Sequence, residues 1–518
     1  MLSLVALASL ATVAAPAPAH AGGLYLPGIG PTAQSRAGAY VAKSDDPTAI
    51  GTNPAGLADA DSGTVIFVGA NLVNYSLEYT RRGTYDAVPN EDIPWAGQAY
   101  ATVNNDDARP AIGIGPYQAV PMIAVSSGLG LGIDGLRFGF GLIAPTAYPE
   151  RDIGSDYVLD DPDVPPPPGR YDTVTQSAAV VLPSIGAGYR VNDKLDVGVR
   201  LSWGLGQVQG KTYVWGTSNN PEWTGNDAVF TIDAKDNFVP AFGVGVLARP
   251  IDHVEVGLNF DSQVNVHGKG TGTSVASDSL AIGGMPVVVL PPDDSMAKCA
   301  PGGTADALSA CIDIGLPMVT TLGGRYIFDD GAGGERGDVE LDVAWERWSA
   351  VSDHHVVVDG AALGTIPLNA TDIQHGAKDV ISVRLGGGWS VPMGGNALAL
   401  SGGVAMDTAM AKDGWQRLDL DGAARQTVAA GVSYVLPKLT FHLGGGYVHE
   451  GTRDVGTDCN PQPGMGCAAD GSELPPDQRT GPDPVQPLNA GTPFESPMNA
   501  GTYTSSYLLF NLSVTAKF

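Results

Sequence analysis

Apolar and polar residues alternate with a period of two along several segments of the chain. In residues 253–267 one face carries valine, leucine and phenylalanine, whereas the other carries polar side chains such as Glu255 and Asn259. The same alternation recurs in three further segments, residues 195–203, 339–346 and 508–518. Successive side chains of a β-strand point to opposite faces, so the pattern predicts strands with one apolar and one polar face.

The connections between the predicted strands are of two kinds. Tight turns recur at residues 192–194 and 250–252. The others are long and rich in Asp, Pro and Gly, as in residues 152–170, 270–310 and 451–500. Short turns at one end and long loops at the other are typical of outer-membrane barrels, whereas alternation alone also fits a soluble sandwich. The last residue, Phe518, is aromatic, as is common in such barrels and in keeping with recognition by a barrel-assembly machinery.

We therefore expect an all-β protein, a transmembrane antiparallel β-barrel of about fourteen strands, an even number as such barrels prefer. The predicted strands start near residues 64, 117, 135, 171, 194, 228, 253, 313, 337, 378, 396, 424, 438 and 503.

Composition and charge narrow the functional classes. After the N-terminus no stretch approaches the roughly 18 consecutive apolar residues of a membrane helix, which leaves a barrel as the way to span a membrane. The net charge of -27 argues against nucleic acid as a partner. We hypothesise that acidic outward loops contact outer-membrane lipid and lipopolysaccharide through bridging divalent cations.

The first 21 residues have the pattern of a secretory signal peptide. An apolar run at residues 2–15 precedes the small-residue site Ala19-His20-Ala21. This pattern predicts cleavage after Ala21, and the run is too short to span a bilayer as a helix. Export of the protein is therefore expected.

The four cysteines form two pairs that are close in sequence. Cys299 precedes Cys311, and Cys459 precedes Cys467, each pair within a predicted outward loop. In an exported protein this spacing favours local disulfides over a metal site, and no histidine lies at zinc-like spacing beside either pair. We expect two loop disulfides.

Residues 37–57 combine many Gly and Ala residues with scattered polar residues and two prolines, Pro47 and Pro54. Small residues allow close backbone packing, and the prolines favour short helical turns. The segment therefore suits a plug inside a barrel, although an ordinary surface loop has the same composition. We assign residues 1–21 to the signal peptide, 22–62 to an N-terminal hatch (plug) and 63–518 to the barrel.

Three stretches, in order along the chain, resemble the FadL/TodX-type outer-membrane transport family. Asn53-Pro54-Ala55 resembles the signature of the family's hatch, and residues 182–198 resemble its strand ending in Asn-Asp-Lys-Leu. Residues 316–349 resemble its Leu-Pro strand followed by Trp-x-Arg-Trp-Ser. The resemblance implies a monomeric fourteen-stranded barrel in the bacterial outer membrane. It also implies uptake of long-chain fatty acids or other hydrophobic small molecules by passive, plug-gated diffusion, without cofactor or enzymatic activity.

The resemblance also implies site residues. It places the mature N-terminus, with Leu24, Tyr25 and Leu26, at the ligand pocket, and it places Asn53, Pro54 and Ala55 in the gating hatch. Family members have a kinked third strand that opens the barrel wall. Pro145 and Pro149 suit such a kink because each removes a ladder donor, although both residues also suit the simple end of a strand.

Two further features bear on ligand binding. Arg200 or Arg325 could supply a cation for a carboxylate head group, whereas the alternative is that each pairs with lumen acids such as Glu255 or Asp342. Val288 lies in an apolar run within a long loop, where the family keeps a surface capture site. The run could instead pack beneath its own loop.

Other functions remain open from the sequence. A general porin for polar solutes would have an open lumen, and a non-transport barrel, enzyme or adhesin, would act through its loops. The sequence contains no Gly-x-Ser-x-Gly or His-Glu-x-x-His motif, and His354-His355 has no supporting context. We therefore predict no catalytic site.

Overall fold

A computed structural model describes most of the chain. The described residues are 25–59, 63–85, 87, 92–110, 112–144, 150–159, 161, 163–215, 224–276, 308–331, 334–358, 362–363, 366–367, 370–412, 415–420, 422–455 and 501–518. Helices within these residues are short, and none is long and apolar enough to cross a membrane. They are α1 (Pro31–Gln34), α2 (Ala49–Thr52) and the 3-10 helices Pro54–Asp59, Thr224–Asn226 and Trp348–Ala350.

Strands make up nearly all the remaining regular structure. They are β1 (Thr64–Arg81), β2 (Thr102–Asn104), β3 (Gly113–Ile114), β4 (Tyr117–Ser127), β5 (Leu136–Ile143), β6 (Arg151–Asp152), β7 (Thr175–Asn192), β8 (Leu195–Trp215), β9 (Asp227–Ile251), β10 (Val254–Asp261), β11 (Val264–Ala276), β12 (Leu308–Leu316), β13 (Val319–Asp329), β14 (Glu335–Glu346), β15 (Asp353–Val358), β16 (Ala362–Leu363), β17 (Ile366–Pro367), β18 (Ala370–Gln374), β19 (Val380–Met393), β20 (Asn396–Asp407), β21 (Arg425–Val435), β22 (Leu439–Val455) and β23 (Gly501–Lys517).

Fourteen of these strands form a closed antiparallel barrel. Their order around the ring is β1, β4, β5, β7, β8, β9, β10, β13, β14, β19, β20, β21, β22 and β23. The last strand closes on the first, from Val65 opposite Lys517 to Arg81 opposite Gly501. Closure pairs the backbone groups of both edges, which a lipid environment requires. The predicted barrel and strand number are confirmed.

The two faces of the barrel strands differ in polarity as the alternation predicts. On β8, Val199 and Leu201 are 53% and 60% exposed on the outside, whereas Asp196 and Arg200 are buried on the inside. An apolar exterior meets lipid, and a polar interior surrounds a lumen. β8 has 21 residues and β9 has 25, more than the roughly 9–11 that span a bilayer, so both extend beyond it.

The two ends of the barrel have connections of different length. Short turns join β7 to β8, β9 to β10, β19 to β20 and β21 to β22. Long connections join β1 to β4, β5 to β7, β14 to β19 and β22 to β23. The asymmetry predicted from the sequence is therefore present, and we refer to the second end as the long-loop end.

Four further strands form a sheet at the long-loop end. β11 pairs with β9 and β12, β12 pairs with β15, and β15 pairs with β18. The prediction of one strand over residues 253–267 is wrong, because Ser262 and Gln263 separate β10 from β11. Past this break Val266 is buried, although Leu258 on the same alternation is 42% exposed. The apolar face of β10 points to lipid, whereas beyond the break the apolar face of β11 packs in a protein core.

Residues 25–59 lie inside the ring of strands. They contact strands on opposite sides of it, including β5, β7, β8, β9 and β22. Close approach depends on glycines in the wall, since a Cβ at Gly198 would overlap the backbone of Pro54 and one at Gly245 would overlap Asn53. Residues 1–24 and 60–62 lie outside the described part, so the signal peptide and the boundary at residue 62 stay predictions.

Candidate functional site

A cavity lies between the N-terminal segment and the barrel wall. It has a volume of about 100 Å³ and is partly open. One part of its lining is apolar and includes Tyr25, Leu26, Ile29, Ile143, Leu182, Val264 and Val319. The other part is polar and charged and includes Arg200, Asn259, Asp261, Asp342, Glu346 and Arg384. The site therefore combines apolar and charged lining residues.

Tyr25 and Leu26 both line this cavity. The Tyr25 hydroxyl donates a hydrogen bond to the Pro317 carbonyl at 3.2 Å, and its ring lies 5.8 Å from that of Trp348. Arg425 holds the backbone by donating from Nη1 to the Tyr25 carbonyl at 2.7 Å. Leu24, the third predicted residue, lies outside the described residues. The contacts fix the start of the segment between barrel and long-loop sheet.

Arg200 reaches the cavity from the inner face of β8. Its Nη2 lies 2.9 Å from Asp261 Oδ1, and its Nη1 donates to the Ile50 carbonyl at 3.2 Å. Its Nε is buried and has no hydrogen-bond partner among the described residues. Asn259 donates to the other Asp261 oxygen at 2.9 Å. Arg200 is thus paired with a lumen acid yet retains one unused donor.

Arg384 is a second arginine at the cavity, and the sequence analysis missed it. Its Nη2 lies 3.8 Å from Glu346 Oε1, and its Nε has no hydrogen-bond partner in the part of the chain that the structure describes. Along β19 the outward residues Ile381, Val383 and Leu385 alternate with inward ones. That alternation, applied to β19, is the signal that assigns Arg384 to the lumen.

Arg325 is not among the residues that line the cavity. Its guanidinium is surrounded by carboxylates: Nη1 lies 2.6 Å from Glu255, Nη2 2.5 Å from Glu335 and Nε 3.2 Å from Asp338. Arg36 of the N-terminal segment binds the same Asp338 through two hydrogen bonds. The cluster ties the segment to β14 and leaves Arg325 engaged.

Asn53, Pro54 and Ala55 also lie away from the cavity lining. Asn53 Nδ2 donates to the Val41 carbonyl at 2.8 Å and to the Val246 carbonyl of β9 at 3.1 Å. Its Oδ1 accepts from the Ala55 amide at 3.2 Å. A side chain that bridges two backbone carbonyls and caps the following turn positions the segment against the wall. The signature residues anchor the segment and do not contact the cavity.

Two adjacent carboxylates of the N-terminal segment have opposite pKa shifts. Burial and the neighbouring Asp45 charge raise the pKa of Asp46 to about 6. Burial also acts on Asp45, but the Lys43 and Arg325 charges outweigh it and hold the pKa of that carboxyl below its usual range. Lys43 Nζ lies 2.8 Å from Asp45 Oδ2. Asp45 is thus paired with Lys43, whereas Asp46 takes up a proton near pH 6.

The barrel wall is interrupted in its third strand. β5 ends with Ile143 opposite Leu182, and pairing with β7 resumes where Arg151 lies opposite Gln176. On the other side β4 pairs with β5 only over residues 123–127, and the Ala119 amide donates to the Ile112 carbonyl at 2.8 Å, so residues 120–122 have no strand partner there within the described part. Pro145 and Pro149 lie outside the described residues.

A second, small cavity of about 20 Å³ adjoins this interruption. Its lining includes Leu26, Ile29, Val120, Met122 and Ala144. Leu26 and Ile29 line both cavities. The two cavities are therefore neighbours, and the smaller one, which Gln34 and Asn71 also line, lies toward the gap between β4 and β5.

Other predicted site residues are only partly described. Cys311 lies in β12 and is disulfide-bonded. Cys299, Cys459, Cys467 and Val288 lie outside the described residues, so the disulfide pairing and the capture loop stay predictions.

A closed barrel with an apolar exterior is the architecture of an outer-membrane β-barrel protein. The sequence profile of the family described as outer membrane protein transport protein (OMPP1/FadL/TodX) matches residues 11–465. The chain therefore belongs to the OMPP1/FadL/TodX family of outer-membrane transporters for hydrophobic compounds. It is a transport channel of the outer membrane and not an enzyme.

Solved structures agree with this fold. A FadL homologue from Pseudomonas aeruginosa is 16% identical with a TM-score of 0.68, over 96% of this chain and 100% of the other. The toluene transporters TbuX of Ralstonia pickettii and TodX of P. putida are each 14% identical, with a TM-score of 0.59 over 95% of this chain and 99% of theirs. No curated protein matches the sequence.

Proposed function

We propose that the protein takes up long-chain fatty acids by passive diffusion, and that the larger cavity binds them on the way. The observation that carries this proposal is the pair of unused buried donors, Arg200 Nε and Arg384 Nε, beside apolar lining residues. A buried donor without a partner is costly, and a carboxylate satisfies arginine donors with charge-assisted hydrogen bonds. Each methylene that leaves water for the apolar lining contributes about 0.8 kcal/mol.

Arg384 is the better of the two anchors for the carboxylate. Arg200 already holds Asp261 at 2.9 Å, whereas the nearest acid to Arg384 is Glu346 at 3.8 Å. An aromatic hydrocarbon, the substrate that the names of TbuX and TodX give for those proteins, would leave both donors unsatisfied. The charged lining of the cavity therefore favours an amphipathic acid over a hydrocarbon.

We further propose that residues 22–62 act as the plug and that the ligand leaves sideways. The plug is anchored by Arg36 on Asp338, by Asn53 on the Val246 carbonyl, and by the Tyr40 amide, which donates to Asp342 at 2.9 Å. Moving the plug would break these buried bonds. The gap beside residues 120–122 of β4 requires no such change, and a small cavity lined in part by Leu26, Ile29 and Met122 adjoins it.

Uptake by cells that carry the protein tests this function. We expect labelled long-chain fatty acid to enter faster than in cells without the protein, and a small sugar to enter no faster. Arg384→Gln should lower fatty-acid uptake at least tenfold and leave uptake of the corresponding fatty alcohol unchanged, because the alcohol has no carboxylate. Arg109→Gln is the control, since Arg109 lies in a connection and bonds carbonyls of its own segment.

Three outcomes would contradict the proposal. Faster sugar uptake would mean an open lumen and a porin. Uptake of toluene without uptake of fatty acid would favour the hydrocarbon alternative. An equal loss of acid and alcohol uptake in Arg384→Gln would mean that Arg384 supports the fold and does not recognise the carboxylate.

We also propose that the chain acts as a monomer and that its acidic long loops contact lipopolysaccharide through divalent cations. The net charge of -27 supports the second point. Light scattering of the purified protein would measure the first. Binding of lipopolysaccharide with and without a chelator would measure the second, and equal binding would contradict it.

A further inference from the structure

Two histidines and an aspartate meet at the long-loop end, beside β7, where Gln176 donates to the Asp419 carbonyl at 3.2 Å. His354 lies in β15, His375 follows β18, and Asp419 lies in the connection between β20 and β21. Their candidate ligand atoms all lie within 4.8 Å of one another. All three residues are at least nine-tenths buried. Three separate segments thus bring imidazole and carboxylate groups together in a shielded place.

The hydrogen bonds of His375 leave one ring nitrogen for a cation. His375 Nδ1 lies 3.1 Å from the Ser352 carbonyl oxygen, which only accepts, so Nδ1 carries the hydrogen. In a neutral ring Nε2 then has a lone pair, and it lies 2.8 Å from Asp419 Oδ2. Two acceptors that face each other need either a second proton on the ring or a metal ion between them.

His354 supplies a second imidazole at the same place. Its ring centroid lies 4.4 Å from that of His375, and the residue is 7% exposed. Neither of its ring nitrogens has a hydrogen bond to any residue that the structure describes. The ring of His354 is therefore free to offer a nitrogen to a cation beside His375.

The carboxylates at this place outnumber the arginine that pairs with them, which favours a further cation. Arg417 pairs most closely with Asp172, with Nη2 2.6 Å from Asp172 Oδ1, and its Nε lies 3.5 Å from Asp419 Oδ1. Two carboxylates therefore share one guanidinium. Arg417 also lies on the Oδ1 side of Asp419, which leaves Oδ2 toward His375.

We propose that His354, His375 and Asp419 bind a divalent transition metal ion, with Zn²⁺ as the best match. Two imidazoles and one carboxylate with an open fourth position form a known zinc ligand set. The Ser352 carbonyl holds the second nitrogen of His375, as outer-shell acceptors do for metal-bound histidines. Ligands roughly 2.0–2.2 Å from a tetrahedral ion lie about 3.4 Å apart, so closing the site needs side-chain shifts of about 1 Å.

The bound ion would join parts of the long-loop end that are distant in the chain. It would connect the β15–β18 hairpin to the connection between β20 and β21, and through Arg417 to Asp172 before β7. Metal binding should therefore make these connections more resistant to proteolysis.

Zinc titration of the purified protein tests the proposal. The full-length chain, in detergent and without a polyhistidine tag, is stripped with a chelator, dialysed and titrated with Zn²⁺ in a calorimeter. We expect one Zn²⁺ per chain, and protection of the long connections from protease by the metal. His354→Gln, His375→Ala and Asp419→Asn should each weaken binding at least tenfold. Heat-modifiable migration on a gel confirms that each variant is a folded barrel.

His267→Ala is the matched control. His267 lies on β11 of the same sheet, is exposed, and has its Nδ1 2.8 Å from Asp313, so it tests binding by an ordinary surface pair. The His267→Ala substitution should leave Zn²⁺ binding unchanged. Absence of Zn²⁺ binding by the folded wild-type protein would overturn the proposal and identify His375 as a protonated partner of Asp419. Unchanged binding in all three site variants, or loss of binding in His267→Ala, would overturn it as well.

Discussion

At the scale of single residues, glycines in the barrel wall determine how closely the plug packs. Gly245 of β9 has no side chain where the Asn53 amide group lies, so a Cβ there would overlap that group. The amide donates to the Val246 carbonyl of the same strand. The fit between wall and plug therefore depends on the space that glycine leaves as well as on hydrogen bonds.

Replacing this glycine should destabilise the protein. In Gly245→Val the added atoms displace Asn53, and overpacking of this kind costs about 1–3 kcal/mol. The midpoint of heat-modifiable migration on a gel should fall relative to wild type. Gly324→Val on β13 is the control, because a Cβ at Gly324 has no atom within 4 Å. Equal midpoints for the two variants would show that the plug does not press on the wall at residue 245.

At the scale of elements, the plug turn around Asp46 should respond to pH. The pKa of Asp46, about 6, lies above the ordinary aspartate value of 3.8. Between these two pH values the folded protein therefore holds a proton that the unfolded chain has lost. Stability therefore falls as pH rises through this window, since the folded state binds more protons than the unfolded one. At pH 8 the ionised Asp46 faces Asp45, and the turn is at its weakest.

Asp46→Asn removes this charge and keeps an oxygen to accept from the Thr48 amide, a bond of 2.7 Å in the native protein. We expect the variant to be more stable than wild type at pH 8 and similar at pH 5, as measured by hydrogen exchange of the plug amides. Asp193→Asn, in the exposed turn between β7 and β8, should behave as wild type at both values. A variant with the same pH dependence as wild type would rule out Asp46 as the cause.

The elements also show which parts of the fold the sequence could predict. Strand starts came within a few residues for most barrel strands, because alternation and turn residues are local signals; β20, for example, begins at the predicted residue 396. The break at Ser262 was missed because an apolar alternation looks the same whether it faces lipid or a protein core. Alternation along β19 could have placed Arg384 in the lumen. Its unused donor, however, depends on the position of Glu346 in the folded chain, which has no signal in the sequence.

At the scale of the whole molecule, the hatch resemblance singled out the N-terminal segment but not its contacts. Asn53 was expected in the gating hatch, and the structure adds that its bonds run to Val41 and Val246 and that it does not line the cavity. His354 was noted without any context. Its neighbours His375 and Asp419 lie in other connections, and only the folded chain brings the three together. Contacts between distant segments have no local signal in one sequence.

A covalent lock between plug and wall distinguishes the two ways in which a ligand passes a plugged barrel. A Cβ at Gly386 of β19 would lie 3.0 Å from the Ala39 Cβ and 2.6 Å from the Arg36 carbonyl oxygen, so the plug backbone must shift away from β19 to reach the roughly 3.5–4.5 Å of a disulfide. We expect cells with Ala39→Cys/Gly386→Cys to take up fatty acid equally well under oxidising and reducing conditions, because the proposed exit beside β4 does not require the plug to move. Uptake that stops on oxidation and returns on reduction would mean that the plug moves. Each single variant and the wild type, treated in the same way, control for the native disulfides.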